Sequence, residues 1–185
     1  MPLSTPIARE AIHTRQITCT GYRREDGLWD IEGHFLDTKT HPYRTADDQI
    51  VAPGEPIHQM RLRLTIDDHL LIHQAEAVTE NGPSASCFEI HFTYAQLVGL
   101  TIGPGFTRRI KELFSGTRGC THLTELLGPV ATTALQTLSH RFKRDEQQRL
   151  AAASGKKPGL VDSCHTFRAD GPVVKRLWPA SYSGN

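Results

Sequence analysis

The segment Leu28-Trp29-Asp30-Ile31-Glu32-Gly33-His34-Phe35 limits the possible folds more than any other part of this chain. Trp29, Ile31 and Phe35 share one side of an extended backbone, and Asp30, Glu32 and His34 share the other, with Asp37 just beyond. This alternation describes a strand with one face on a core and one in water, as in an antiparallel sheet. Asp26-Gly27 directly before it signals a tight hairpin. The β-prone residues Ile17, Thr18, Thr20 and Tyr22 make 12–24 the partner strand. Met60 to Ile66 alternates again with Arg61 and Arg63 outward, and Leu70 to Val78 forms a fourth strand before Asn81-Gly82-Pro83. Arg61 and Arg63 then face Asp30, Glu32 and His34 in a solvated cross-strand charge ladder.

Helical spacing replaces alternation in the second half. The spacing predicts a short helix over 92–100 and a second over 106–114, with Phe106, Ile110, Leu113 and Phe114 on one stripe. A longer helix follows Thr121, a candidate N-cap, through Leu123, Leu126, Leu127, Val130, Ala134 and Leu138. Pro129 should kink or split it. Residues 143–159 read as a frayed helix end and linker, and Asp170-Gly171 between apolar residues suggests a terminal hairpin. The expected architecture is α+β: a four-stranded antiparallel meander, then helices packed on one face. Residues 1–10 form a flexible N-terminal arm, and 11–185 a single domain. A chain of 185 residues has enough core to fold without disulfides.

A net charge of +1 lacks the basic excess of a nucleic-acid binder and gives no attraction to an anionic membrane. No apolar run spans a bilayer. Without an apolar leader, the expected location is cytoplasmic and the four cysteines are reduced thiols. There is no G-x-G-x-x-G, P-loop, G-x-S-x-G or H-E-x-x-H, which disfavours nucleotide-dependent and common serine-hydrolase chemistry.

The chemistry-bearing residues concentrate around Gly119-Cys120-Thr121-His122. A thiol just before a helix meets the positive end of the macrodipole and unpaired N–H groups, which favour the thiolate that attacks electrophiles or binds metal. The plain alternative is a Gly turn, a buried Cys and a surface His. Asp162-Ser163-Cys164-His165 is a second cluster; on an extended strand Cys164 and His165 face opposite ways. The spacings match no zinc finger. Cys120, His122, Cys164 and His165, with Cys87 as a further candidate, are the expected ligands of Zn or Fe. His58, placed where the long loop 37–57 meets a strand, is a candidate ligand or general base. Cys120 and His58 are the candidate catalytic residues.

The stretches Tyr22 to Gly33, Gly54 to Met60, Gly119 to Leu123 and Asp162 to His165, in that order, resemble the bacterial family designated domain of unknown function 2889. The likeness runs from about Arg15 to Pro179 and implies a stand-alone bacterial cytosolic domain, with no activity attached. A fainter similarity is to iron–sulfur scaffold proteins of the IscU/NifU kind. Those carry His before Cys in the late pair, the reverse of Cys164-His165. The expected function is therefore a small Zn- or Fe-binding enzyme acting on a small organic acid or acyl compound. A cofactor-free lyase or hydrolase with Cys120 as nucleophile, or a non-enzymatic metal- or cluster-binding assembly module, remains open. A small-molecule substrate and a homo-oligomer are compatible with either.

Overall fold

The computed structural model describes residues 3–139, 155 and 157–184. Its contacts divide the chain into two compact units, Met1–Thr137 and Leu138–Asn185.

In the first unit, β1 (His13–Arg23), β2 (Trp29–Lys39), β5 (Pro56–Ile66) and β6 (Ile72–Asn81) form an antiparallel sheet in the order β1-β2-β5-β6. This is the expected meander. Two short strands, β3 (Tyr43–Arg44) and β4 (Ile50–Val51), pair with each other inside the β2–β5 connection. Trp29 is 5% exposed and Ile31 and Phe35 are fully buried, while Asp30, Glu32 and His34 lie on the opposite, partly exposed face. The charge ladder is present there: Arg63 pairs with Glu76 and Glu32, and Arg61 with Glu80.

Both central strands are longer than the sequence suggests. β2 continues past Phe35 to Lys39, and β5 begins at Pro56. Asp37 and His58, expected in a loop and at its end, are thus cross-strand neighbours. A register shift comes immediately after them, between Asp37 and Thr38.

The inner face of the sheet is covered by α2 (Thr121–Thr137), which packs on β1, β2 and β5, and α1 (Phe106–Phe114) contacts α2. The first expected helix is instead a 3-10 segment, His91–Leu97, packed on β6. Tyr94 from this segment is fully buried, its ring stacked on Phe114 at 4.4 Å. Pro129 does not split α2. Leu123, Leu126 and Leu127 before it and Val130 and Ala134 after it are all buried, so core packing holds both halves in one helix despite the lost hydrogen bond.

Gly33 sets how closely α2 approaches. A Cβ there would sit 2.6 Å from Val130 Cγ2 and 3.0 Å from Leu126 Cδ1. Gly21, also on the inner face, meets Thr137 in the same way.

In the second unit Val161, Ala169, Val174 and Trp178 form a small core flanked by Phe167 and Leu177. The expected terminal hairpin is absent among the described residues. Pro172 starts a short helix, α3 (Pro172–Leu177), because a proline after Gly171 suits the first helical position and cannot donate to a strand ladder. Most of the predicted helix end and linker, 143–159, lies outside the described residues.

Gly33→Ala should destabilise the protein by about 1–3 kcal/mol through overpacking against Val130. In that background Val130→Ala should cost less than it does alone, because it removes the clashing methyl. Urea midpoints of the two single variants and the double variant measure both effects.

Candidate metal centre

Three elements meet at the end of the sheet where β2 finishes, β5 starts and α2 begins. Asp37 has the same odd parity as Trp29, Ile31 and Phe35, so its carboxylate points into the core and is only 2% exposed. A buried carboxylate needs partners. His13 Nε2 and Arg15 Nε lie 2.9 Å from Oδ1, and Arg15 Nη2 lies 2.9 Å from Oδ2. Burial pushes the Asp37 carboxyl up. The hydrogen bonds and charges of Arg15 and His13 outweigh this, and the net shift is downward, so the group stays ionised.

His58 faces the same way from β5, in register with Asp37. Its Nδ1 is buried 3.3 Å from Asp37 Oδ2, close enough for a charge contact but not aligned for a hydrogen bond, and it has no other hydrogen-bond partner. His122, in the first turn of α2, lays its ring against that of His58, with centroids 3.9 Å apart, and against Phe35 at 5.1 Å. Both imidazoles titrate below the ordinary histidine value. For His58 the causes are burial, then the neighbouring His122; for His122 they are burial, then the charge of Arg15. Asp37 opposes the shift in each. Near neutral pH both rings are therefore neutral and carry a free lone pair, the form that binds metal.

The start of α2 is fixed from beneath. Cys120, not Thr121, holds the cap position: the helix begins at Thr121, and the Cys120 carbonyl accepts the Thr124 N–H. The buried Tyr94 hydroxyl accepts the Cys120 N–H at 3.0 Å and lies 2.8 Å from the Cys120 carbonyl and 2.7 Å from Thr124 Oγ1. Gly119 allows this approach, since a Cβ there would sit 2.7 Å from the Phe114 carbonyl. Cys120 Sγ lies 3.9 Å from both His122 Nδ1 and Met60 Sδ.

Among the described residues, Asp37, His58 and His122 are the one group of three or more His, Cys, Asp or Glu side chains whose donor atoms all lie within 4.8 Å of one another. Of the residues singled out from sequence, His58, His122 and Cys120 come together. Cys87 sits in a 3-10 turn, Ala85–Phe88, with its carbonyl bonded to Thr79 Oγ1, and is outside that group. Cys164 and His165 belong to the second unit and are exposed. The Phe167 and Thr166 N–H groups hold the Cys164 thiol below its usual range. Sequence reasoning misses Asp37, Arg15 and His13 as members of the centre. Asp37 reads as an extension of the polar strand face, although its parity matches Phe35.

The family model described as protein of unknown function (DUF2889) matches residues 13–136, well over half of the chain. The chain belongs to this family. All the residues of the DUF2889 centre lie inside the matched span. Comparison with curated proteins and with solved structures gives no match. The likeness to iron–sulfur scaffold proteins gains no support from them. No helix among the described residues is long and apolar enough to cross a membrane.

A groove of about 440 Å³ lies on the opposite sheet face, lined by Tyr22, Glu32, His34, Arg61, Arg63 and Glu76 among others. It is the solvated charge ladder, with its arginines already paired. The buried Asp37–His58–His122 centre is the better chemical candidate, because burial without full pairing is costly and needs a reason.

In metal-free protein the depressed histidines make stability pH-dependent. The unfolded chain protonates near pH 6.5, while folded His58 and His122 do so at lower pH. Their contribution is complete above about pH 6.5 and is lost as pH falls through the folded values. The stabilisation from Asp37 persists to below about pH 4. The drop in urea midpoint from pH 7.5 to 5.5 should therefore be smaller in a His58→Gln, His122→Gln double variant than in the parent.

Proposed function

We propose that this DUF2889 chain is a small metal-dependent enzyme that holds Zn(II) or Fe(II) between Asp37, His58 and His122. The carrying observation is the buried His58 Nδ1, which makes no hydrogen bond and lies 3.3 Å from Asp37 Oδ2. Two donors each about 2.0–2.1 Å from a tetrahedral zinc stand about 3.3 Å apart, so this pair already has the spacing of two ligands. The lone-pair inventory agrees. A carboxylate offers about four acceptor positions. His13 and Arg15 take two on Oδ1 and one on Oδ2. The remaining one is on the oxygen next to His58.

Two histidines and one carboxylate leave coordination positions open, which suits catalytic zinc and non-haem iron more than a closed structural site. A metal here would supply a Lewis acid able to polarise a carbonyl or carboxylate oxygen. The chain's own part is to orient that ion. Arg15 and His13 fix the Asp37 carboxylate, Phe35 backs the His122 ring, and burial keeps both imidazoles neutral. The substrate class proposed is a small organic acid or acyl compound, supported by the arginine at the rim. No ligand from Cys87, Cys164 or His165 is required.

A second reading uses the sulfur. Cys120 Sγ at 3.9 Å from His122 Nδ1 is a thiol–imidazole pair, the arrangement of a nucleophile and its base.

Cobalt(II) uptake, followed by its visible spectrum, separates the two. Asp37→Asn, His58→Gln and His122→Gln should each weaken binding by about a hundredfold or more, beyond the 10–100-fold typical of supporting residues. Cys120→Ser should leave uptake intact. Loss of uptake in Cys120→Ser with none in Asp37→Asn would overturn the proposed ligand set.

A further inference from the structure

We propose that Arg15 is the residue that recognises a substrate carboxylate, and that Glu125 occupies, in the free protein, the position this carboxylate takes. The inference rests on the metal reading for the ion beside it and adds the substrate's binding group.

Arg15 is held on three sides. Its Nε and Nη2 fork grips Asp37, its guanidinium lies over the Phe35 ring at 4.7 Å, and its Nη1 reaches Glu125 Oε2 at 3.0 Å. The two carboxylates it binds differ. Asp37 is buried and also bound to His13, so it cannot leave. Glu125 is half exposed, and an exposed ion pair of this kind contributes little. Glu125 is thus the exchangeable partner.

Its position fits the role. Glu125 lies three residues after His122 on α2, so the two share a helix face. The Arg15–Glu125 pair therefore bridges from β1 to α2 on the side where His122 projects. An acid that replaces Glu125 on Nη1 arrives next to the centre with its geometry already set. Guanidinium has five N–H donors, of which Asp37 and Glu125 engage three, so Arg15 has donors left for a second oxygen of the incoming carboxylate. The class of ligand is a small carboxylic acid with a further oxygen able to reach the metal.

Malonate is a suitable probe, with sodium chloride at matched ionic strength as the control. Binding is read by calorimetry on metal-free protein and by the visible spectrum of the cobalt(II)-loaded protein. Glu125→Gln removes the resident carboxylate and should tighten malonate binding several-fold. Arg15→Lys keeps the charge that Asp37 needs but loses the fork, and should weaken it about tenfold or more. Arg15→Met should abolish it, and circular dichroism shows whether that variant is folded; Arg15→Lys carries the test if it is not. Equal malonate binding by the parent, Glu125→Gln and Arg15→Lys overturns the proposal, as does a Glu125→Gln variant that loses only stability. Cobalt uptake without Arg15-dependent malonate binding sinks this inference and leaves the metal reading standing. Arg15-dependent malonate binding without cobalt uptake overturns the metal reading and, with it, the ion-reaching oxygen of the ligand, and leaves only Arg15 as the carboxylate-binding residue. If neither is seen, both fall.

Discussion

The first unit depends on how closely α2 lies against β2. Gly33 lets Val130 and Leu126 touch the sheet backbone where any side chain would hold them away. That contact decides where the N-terminus of α2 ends up, because a helix is rigid over its length. The Tyr94 hydroxyl then fixes the Cys120 backbone, and His122 arrives against His58. Packing in the middle of the helix thus sets the chemistry at its end.

The second organising element is the buried Asp37 carboxylate. Its stability comes from Arg15 and His13, and both are on β1. The same interactions that make the charge tolerable also orient it toward His58. Structural and chemical roles share one set of bonds here. Arg15 and His13 hold the carboxylate in one place beside His58.

Much of this architecture is legible in the sequence, and the gaps have physical causes. The Trp29–Phe35 alternation marks the sheet face, and the leucine spacing after Cys120 marks α2. His58 and His122 stand out as histidines beside strand and helix starts. Asp37 does not, because an acidic residue following the last inward-facing apolar one, Phe35, reads as the end of the strand. Parity is the available signal. Arg15 and His13 need the β1–β2 register; a hairpin centred on Asp26 places Arg15 opposite Asp37. The misread C-terminus has a local cause, since Asp170-Gly171 signals a turn but Pro172 directs the next residues into a helix. Nothing local in the sequence marks the 3-10 geometry of His91–Leu97 in place of the expected helix.

Strand β1 is one of the two edge strands of the sheet, and nearly all its residues are exposed. Apolar burial alone therefore specifies its alignment weakly. The ion pair supplies what the hydrophobic pattern lacks. If β1 docked one residue out of step, Arg15 and His13 would turn to the far side of the sheet, and Asp37 would be left as a buried, uncompensated anion. Breaking such a pair costs about 3–5 kcal/mol. That is a large share of the roughly 5–15 kcal/mol by which a domain is stable at all. The carboxylate therefore acts as a proofreading element in folding, rejecting the misaligned hairpin by electrostatics where shape alone would accept it.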